Sequence, residues 1–376
     1  MQKSNHPKSL SEHFSIIVDP RVDRTKEHRL EDILMISLCG MLCGAESFVD
    51  FADFGRAKEE WLRTFLELPN GIPSHDTFTR VFAALDARQF SECFVNWTQS
   101  LRRSVAGEIV AIDGKTLRRS HNRFKDKGAI HMVSAWAREN GLVLGQVKVD
   151  EKSNEITAIP ELLRRLELSG CIVTIDAMGA QKSIATEIIN ADADYVLALK
   201  GNHEILHEEI ATYFEDARER NFKGIAHDFL ETTEKGHGRI EIRRFWITDS
   251  IDWIADKPLW EGLRSIAMIE STRIIGDKTS TERRFFLCSL PPQAERFARA
   301  ARGHWAIENQ LHWCLDVCFN EDQSRARSGS QAQNLATLRH LALNLLKSDS
   351  TKKRGIKGKQ LNASWDHSFL LSLLKF

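Results

Sequence analysis

The sequence lacks an excess of charge of either sign, because its 376 residues include 52 Lys+Arg and 52 Asp+Glu. Net charge therefore gives no argument for binding nucleic acid, and any basic surface has to come from local clustering of side chains. A long hydrophobic run is also missing, since the apolar stretch from Ile33 to Cys43 is too short to span a bilayer. We therefore expect no membrane partner.

Cysteine is sparse and shows no pairing pattern. The chain has seven Cys, an odd number, and no visible signal peptide, which predicts reduced thiols and a cytoplasmic location. Cys39 with Cys43, and Cys314 with Cys318, stand four residues apart in apolar helical patterns, which favours buried thiols. A zinc site would need a further His or Cys pair to complete its ligands.

The remaining composition, 42% hydrophobic and 28% charged residues, is that of an ordinary globular protein of two or three domains. Its most informative stretch is residues 109–115, IVAIDGK. A short, continuous apolar run predicts a strand buried on both faces of a parallel or mixed sheet. The strand is expected to end in Asp113, where Gly114 lets the chain turn away.

The same pattern returns in residues 171–179, CIVTIDAMG. If the two strands lie side by side and parallel, Asp113 and Asp176 become neighbours at the carboxyl ends of the strands, where open α/β sheets hold their chemistry. Two close carboxylates repel each other unless a cation lies between them, so the pair indicates a divalent metal with oxygen ligands, Mg²⁺ or Mn²⁺. The alternative is that each aspartate only begins a turn.

The order of elements around these strands predicts the fold. Strands are expected at residues 108–113, 130–138, 142–149, 171–175 and 195–199, and helices at 156–166 and 183–189. Three antiparallel strands followed by α/β units is the order of the RNase H-like fold, in which the first and fourth strands are parallel neighbours. Alternating runs at residues 239–247, 265–275 and 283–290 then predict a β-rich insertion.

The region before the sheet has a helical period. Five apolar residues share one helix face: Leu30, Ile33, Leu34, Leu38 and Met41. Ser74, ahead of another apolar run, predicts an N-capped helix that carries Thr79 and Arg80. These helices fit a DNA-binding helix-turn-helix, and they fit a plain packing domain at least as well.

A long helix is expected from Pro291 to about Phe319, and a last helix over residues 331–346. On the first, Glu308 shares a stripe with apolar neighbours, so its carboxylate is expected to point into the protein and to need a partner or a metal. The alternative partner is an arginine at the edge of the core. Residues 347–376 are rich in Lys and Arg, which is typical of a solvated, mobile end that is also able to contact phosphates.

Three motifs together resemble a known family: AIDGK at Asp113, TIDAMGAQ at Asp176 and HWAIENQLHW at Glu308. They are similar to the Asp-Asp-Glu (DDE) triad of bacterial insertion-sequence transposases, in the branch that includes the H-repeat-associated proteins. The resemblance covers nearly the whole chain. It implies an RNase H-like core, a β-rich insertion between the second Asp and the Glu, and two Mg²⁺ (or Mn²⁺) ions on these three catalytic, metal-binding residues.

The resemblance also implies double-stranded DNA, at element ends and target, as the partner of a nucleoid-associated homodimer. Where the wider superfamily has an Arg four residues before its Glu and a Lys seven after it, this chain has His304 and Leu315. Contacts to the DNA backbone from this helix then fall to Arg302, Asn309 and His312. On the rim of the sheet the candidates are Lys115, Arg118, Arg119, Lys200 and Asn202. The alternative for these rim cations is plain solvation.

The sequence therefore predicts an α/β protein with an RNase H-like mixed sheet, a β-rich insertion and a small all-helical N-terminal domain. The expected divisions are a helical transposase-associated domain (1–105), the DDE catalytic domain (106–200 and 291–346), the insertion (201–290) and a basic tail (347–376). The expected function is a transposase that cuts and joins DNA by two-metal phosphoryl transfer. Two alternatives are an RNase H-like structural nuclease that does not join strands and a non-mobilising DNA-binding relic.

Overall fold

The computed structural model describes residues 10–121, 128–150, 154–236 and 238–374. Within them, one mixed sheet of nine strands runs in the order β3-β2-β1-β4-β5-β9-β8-β7-β6. The strands are β1 (Ile109–Leu117), β2 (Ile130–Ala137), β3 (Leu142–Lys148), β4 (Ile172–Ile175), β5 (Asp194–Leu199), β6 (Asp228–Gly236), β7 (Arg239–Thr248), β8 (Ser265–Ile275) and β9 (Lys278–Cys288).

Helices pack on both faces of this sheet. Before the sheet come α1 (Leu10–Phe14), α2 (Leu30–Leu42), α3 (Phe48–Ala57), α4 (Glu59–Leu62), α5 (His75–Ala84) and α6 (Ala87–Leu101). Between the strands lie α7 (Glu155–Leu163), α8 (Lys182–Asn190) and α9 (Glu204–Glu219). After them come α10 (Ala294–His304), α11 (Trp313–Phe319), α12 (Gln331–Ser348), α13 (Ile356–Trp365) and α14 (His367–Leu373). None of the described helices is long and apolar enough to cross a membrane.

Strand β1 lies at the centre of the predicted core. It pairs antiparallel with β2 and parallel with β4, and Ile112 stands opposite Ile175 in the parallel register. The side chains of Val110, Ile112 and Val173 are fully buried, as expected for strands covered by helices on both faces. The strand order β3-β2-β1-β4-β5 confirms the predicted RNase H-like arrangement, including the parallel neighbours that end near the two aspartates.

The β-rich insertion extends this sheet instead of forming a separate one. Strand β9 pairs antiparallel with β5, and β8, β7 and β6 follow outward as antiparallel neighbours. The alternating runs predicted β7 and β8, but β6 was missed and β9 was expected to begin only at Arg283. Both misses have one cause: β6 and the first half of β9 are polar and largely exposed, so they carry no apolar period.

The N-capped helix predicted at Ser74 is α5. The Thr77 N–H donates to Ser74 Oγ (3.3 Å), so Ser74 is its N-cap. The aromatic side chains of Phe51, Phe78 and Phe82 are fully buried, and they belong to one hydrophobic core that continues to β1.

The expectation of a solvated, mobile C-terminal end is wrong for the described residues. Helices α13 and α14 fold back onto the protein and bury Phe369 and Leu370. Lys359, which the sequence places in a basic run, is buried: its ammonium donates to the carbonyl of Leu346 (2.8 Å) and pairs with Asp349 (3.3 Å). The prediction of a solvated end rested on the Lys and Arg content of this segment and overlooked the apolar residues that α13 and α14 bury.

Candidate active site

Asp113 and Asp176 lie side by side, as the parallel pairing of β1 and β4 requires. Asp176 directly follows β4, and its Oδ1 accepts the backbone N–H of Met178 (3.1 Å) in a short 3₁₀ turn. Asp176 therefore does begin a turn, as the alternative interpretation expected, and it also lies at the site beside Asp113. Asp113 differs from the expectation, because β1 does not turn away at Gly114 but continues to Leu117.

Glu308 reaches the same site from a break in the predicted long helix. Between α10 and α11 the backbone forms a π-helical segment, Glu308–His312. One ligand atom each of Asp113, Glu308 and His312 lie within 4.8 Å of one another. The His312 Nδ1 is 3.6 Å from Asp113 Oδ2 and 3.6 Å from Glu308 Oε2. Asp176 is outside this tightest group, although its charge acts on Asp113.

The expectation that Glu308 is buried is wrong, because its side chain is 55% exposed. The sequence argument assumed a continuous α-helix, in which Glu308 shares the buried stripe of its neighbours. A π segment adds a residue to the turn and rotates the following side chains, and such segments are frequent at functional sites. Here it leaves Glu308 at the protein surface while its carboxylate still faces Asp113.

His312, expected to contact the DNA backbone, lies inside the carboxylate cluster and is only 6% exposed. Burial lowers its pKa below the usual range, although the Glu308 carboxylate opposes this shift. The imidazole is therefore neutral at pH 7 and offers a lone pair or an N–H to the site. The sequence signal that could have placed it here is its spacing, four residues after Glu308.

The pKa of Asp113 is raised to about 7. Burial is the largest cause, and the charges of Glu308, Asp176 and Glu155 add to it, while the Gly114 N–H, which donates to Asp113 Oδ1 (2.9 Å), opposes them. A cation among these groups would remove the repulsion that favours protonation. The carboxylate oxygens present are the ligands that Mg²⁺ and Mn²⁺ prefer.

A third acid near Asp113, in addition to Asp176 and Glu308, was missed by the sequence analysis. Glu155, at the start of α7, accepts a hydrogen bond from His131 Nε2 (2.5 Å), and His131 Nδ1 lies 2.9 Å from the Thr116 hydroxyl. The pair crosses β1 directly over Gly114, where a Cβ atom would overlap both side chains. Acids are common in the first turn of a helix, so sequence alone offered no signal for this role.

Lys115 does not present a free ammonium to DNA, contrary to expectation. Its Nζ pairs with Asp316 and with Glu321 (2.8 Å), and the Lys115 side chain is only 12% exposed. Glu321 is buried and also lies 3.6 Å from the buried Arg339 guanidinium. These ion pairs tie β1, just beyond Asp113, to the segment that follows α11 and to α12.

The other candidates on the rim of the sheet differ in whether their side chains already have a partner within the protein. Arg118 is exposed and pairs with Asp322 (3.2 Å), and the Arg119 and Lys200 side chains are exposed. Asn202 has a structural contact, because its Nδ2 donates to the Ala177 carbonyl (2.6 Å) and so holds the turn after Asp176.

Two further candidates for DNA contact lie on either side of Glu308. Arg302 pairs with Glu234 on the outermost strand, and both side chains are nearly half exposed. Asn309 is exposed, and its Nδ2 donates to the Trp305 carbonyl (3.3 Å). Each is therefore at the surface beside the site, with Arg302 already neutralised by a carboxylate.

An RNase H-like sheet with one acid within β1, a second directly after β4 and a third in a later helical segment is typical of DDE transposases. The comparison with protein families agrees with this class: the family described as "Transposase DDE domain" matches residues 106–345. A second family, described as "DDE_Tnp_1-associated", matches residues 11–98. The chain belongs to the transposase DDE domain family.

Several named proteins are similar to this chain over most of its length. The "H repeat-associated putative transposase YhhI" of Escherichia coli (strain K12) is 41% identical over 98% of this chain and 98% of its own. An "Uncharacterized protein in dhlA 3'region" of Xanthobacter autotrophicus is 46% identical over 73% of this chain and 92% of its own. The chain therefore falls in the branch of the H-repeat-associated proteins.

The solved structures similar to this chain include one titled "Cryo-EM structure of piggyBac transposase synaptic complex with hairpin DNA (SNHP)". It is 12% identical, with a TM-score of 0.45, and the match covers 98% of this chain and 77% of that chain. At this TM-score the likeness supports no conclusion about this protein.

Proposed function

We propose that this transposase cuts and joins DNA strands with two divalent cations, Mg²⁺ or Mn²⁺, held by Asp113, Asp176 and Glu308. The observation that carries the proposal is the convergence of these acids from three separate elements on one site where burial and mutual repulsion raise the pKa of Asp113 to about 7. An acidic cluster of this kind is costly unless cations neutralise it.

The residues present fit such ions. Asp113 is the central oxygen donor, Glu308 approaches it from the open surface, and Asp176 flanks it from the neighbouring strand. Bound divalent cations would supply a polarised attacking oxygen and a stabilised leaving oxygen at the scissile phosphate. The protein itself contributes positioning, because β1 and β4 fix the aspartates. The charge of Glu155 also acts on Asp113.

DNA is the proposed partner, both as element ends and as target. Arg118, Arg119 and Lys200 are exposed on the rim of the sheet beside the acids, and Asn309 is exposed next to Glu308. These groups would bind phosphates without regard to sequence. Because two element ends have to be held together, we propose a homodimer in the DNA-bound state, with residues 1–105 as its helical accessory domain and 347–376 as a basic C-terminal segment.

Cleavage of supercoiled plasmid carrying the gene and its flanking DNA tests the proposal. The unmodified protein should nick it in Mg²⁺ or Mn²⁺ and not in EDTA. Asp113→Asn should lower the rate at least about a hundredfold, as expected when the central charge of a metal site is lost. Asp277→Asn, at the exposed turn between β8 and β9, is the matched control and should nick at the unmodified rate.

The result that would overturn the proposal is equal nicking by Asp113→Asn and by the control. Strand joining is measured separately, by incubating the cut ends with a second plasmid and looking for joined products. Metal-dependent nicking without joined products would restrict the activity to a nuclease.

A further inference from the structure

The surface that leads away from Glu308 along α11 is apolar and uncovered. Trp313 is 57% exposed and Val317 is 54% exposed, and they lie four residues apart on one face of the helix. The Trp313 ring has no aromatic or cationic neighbour in the described part of the chain. The Trp305 ring on the other side of Glu308 has one, the guanidinium of Arg284 (5.1 Å), although it is 52% exposed.

This apolar face runs into a group of uncompensated cations. Lys353, Arg354 and Lys357 are exposed around the start of α13, and none of them pairs with a carboxylate among the described residues. The nearest acid in sequence, Asp349, is already occupied by Lys359 and by the Thr351 hydroxyl. Although the chain as a whole is neutral, these three cations therefore form a local group of positive charge.

The two features are contiguous. The Lys357 backbone forms a hydrogen bond with the thiol of Cys318, the residue that directly follows Val317, and the Lys357 charge acts on the same thiol. Val317 stands nine positions after Glu308, or about 13 Å along the helix axis at about 1.5 Å per residue. That length corresponds to about four nucleotide steps along one strand of duplex DNA, at about 3.4 Å per step.

We propose that this surface, made of Trp313, Val317, Lys353, Arg354 and Lys357, holds the DNA that flanks the scissile phosphate. The inference rests on the proposed function, because it takes Glu308 as the place where the strand is cut. Phosphates about four to six nucleotides from that point bind the three cations, and the exposed indole of Trp313 packs against a sugar or base between them. The partner is DNA because a uniform row of negative charge matches cations that no acid among the described residues neutralises.

The salt dependence of DNA binding tests the inference. The probe is a fluorescein-labelled 30-base-pair duplex of mixed sequence, and its affinity is measured by anisotropy between 50 and 300 mM KCl. All proteins carry Asp113→Asn so that the duplex stays intact. Replacing Lys353, Arg354 and Lys357 together by Ala should lower the slope of log affinity against log salt by about 2.7, which is about 0.9 for each lost phosphate contact.

The control removes the same charge elsewhere, by replacing the exposed Arg24, Lys223 and Arg264 together by Ala. Its slope should stay within about 0.5 of the parent protein. If both triple variants lose the same amount, net charge alone explains binding and the inference is wrong. Unchanged DNA binding by the variant that lacks Lys353, Arg354 and Lys357 would also contradict the inference. The proposed function would still hold in that case if the unmodified protein nicks DNA in a metal-dependent way.

Photocrosslinking provides a second test that needs no loss of charge. Val317→Cys carries an azidophenacyl group on the new thiol, since the seven natural cysteines are buried or half-buried. It should crosslink to the duplex, and the same group on Val22→Cys, an exposed position before α2, should not. Absence of crosslinking at Val317 with a bound duplex would place the DNA elsewhere. If the parent protein binds no duplex at all, both the inference and the proposed function fail.

Discussion

At the scale of single residues, the electrostatics of the site depend on Asp113. The pKa of its carboxyl is about 7 in the folded protein, because burial and neighbouring acids disfavour the charge, and about 3.9 in an unfolded chain. Between these values the folded protein binds more protons than the unfolded chain. In the absence of metal, stability from this group is therefore complete below about pH 4 and is lost as the pH rises through about 7.

Asp113→Asn should consequently stabilise the metal-free protein at pH 8 and have little effect at pH 4. The difference between the two pKa values corresponds to at most about 4 kcal/mol of unfolding free energy. Thermal unfolding in EDTA at both pH values measures it, with Asp277→Asn as control. A variant that is destabilised at pH 8, and less so at pH 4, would show that Asp113 is charged and well paired in the folded protein. That result would contradict a repulsion between Asp113 and its neighbouring acids.

Gly114 allows two side chains to lie on the strand that carries Asp113. A Cβ at this position would overlap the Glu155 carboxylate and the His131 ring, so Gly114→Ala should displace the pair and cost about 1–3 kcal/mol of stability. Nicking should fall with it, because Asp113 loses its neighbours. Gly236→Ala, where added atoms meet nothing within 4 Å, is the control. If Gly114→Ala nicks at the unmodified rate, the pair has no part in positioning Asp113.

At the scale of elements, the sequence predicted strands and helices whose apolar residues follow a regular period. It did not predict the π segment, which interrupts such a period. The buried runs of β1 and β4 are short, apolar and end in Asp, so both strands and their parallel pairing were predictable. The π segment at Glu308 was not, because an extra residue in one turn leaves the surrounding apolar period almost unchanged. Nor was the position of Glu155, which depends on how α7 packs over β1.

Deletion of Gln310 tests what the π segment does. Gln310 is exposed within the segment, and removing one residue should restore α-helical pairing and rotate Glu308 by about 100° relative to His312 and α11. We expect a folded protein whose metal-dependent nicking falls at least about a hundredfold. Nicking of plasmid and thermal unfolding measure the two effects.

The control for this deletion is Gln310→Ala, which keeps the number of residues and should keep activity. A shortened protein that is folded and fully active would show that the approach of Glu308 to Asp113 does not depend on the π segment.

At the scale of the whole molecule, α12 joins the N-terminal helices to the catalytic sheet. The Asn344 side chain accepts a hydrogen bond from the Val143 N–H (2.9 Å) and donates one to the Val143 carbonyl (2.9 Å). Both backbone groups of Val143, on the outer strand β3, therefore have hydrogen-bond partners. The Asn334 amide donates to the carbonyls of Phe82 (2.9 Å) and Leu85 (3.0 Å) at the end of α5. Sequence periods predicted α2, α5 and α12 separately, but these contacts between distant residues leave no local pattern.

The same contacts predict how the rest of the chain should behave when the N-terminal helices are removed. The chain from residue 101 onward would lose the aromatic side chains of α3 and α5, each worth about 1.5–3 kcal/mol when buried. It would also expose the face of β3 that α6 covers and the faces of α12 that α2, α5 and α6 cover. We therefore expect residues 101–376 alone to be insoluble or unfolded, measured by soluble yield and circular dichroism. Co-expression with residues 1–100 should restore a soluble complex.

A soluble, folded fragment of residues 101–376 would contradict this expectation. If that fragment nicked DNA in Mg²⁺ or Mn²⁺ but lost preference for the flanking DNA of the gene, the N-terminal helices would be a recognition module. The buried Phe51 and Phe82 favour the other result, because a module that only binds DNA has no need to share its hydrophobic core with the catalytic sheet. Packing is therefore the first role of these helices, and any contact with DNA has to come from their exposed residues, such as Arg80 on α5.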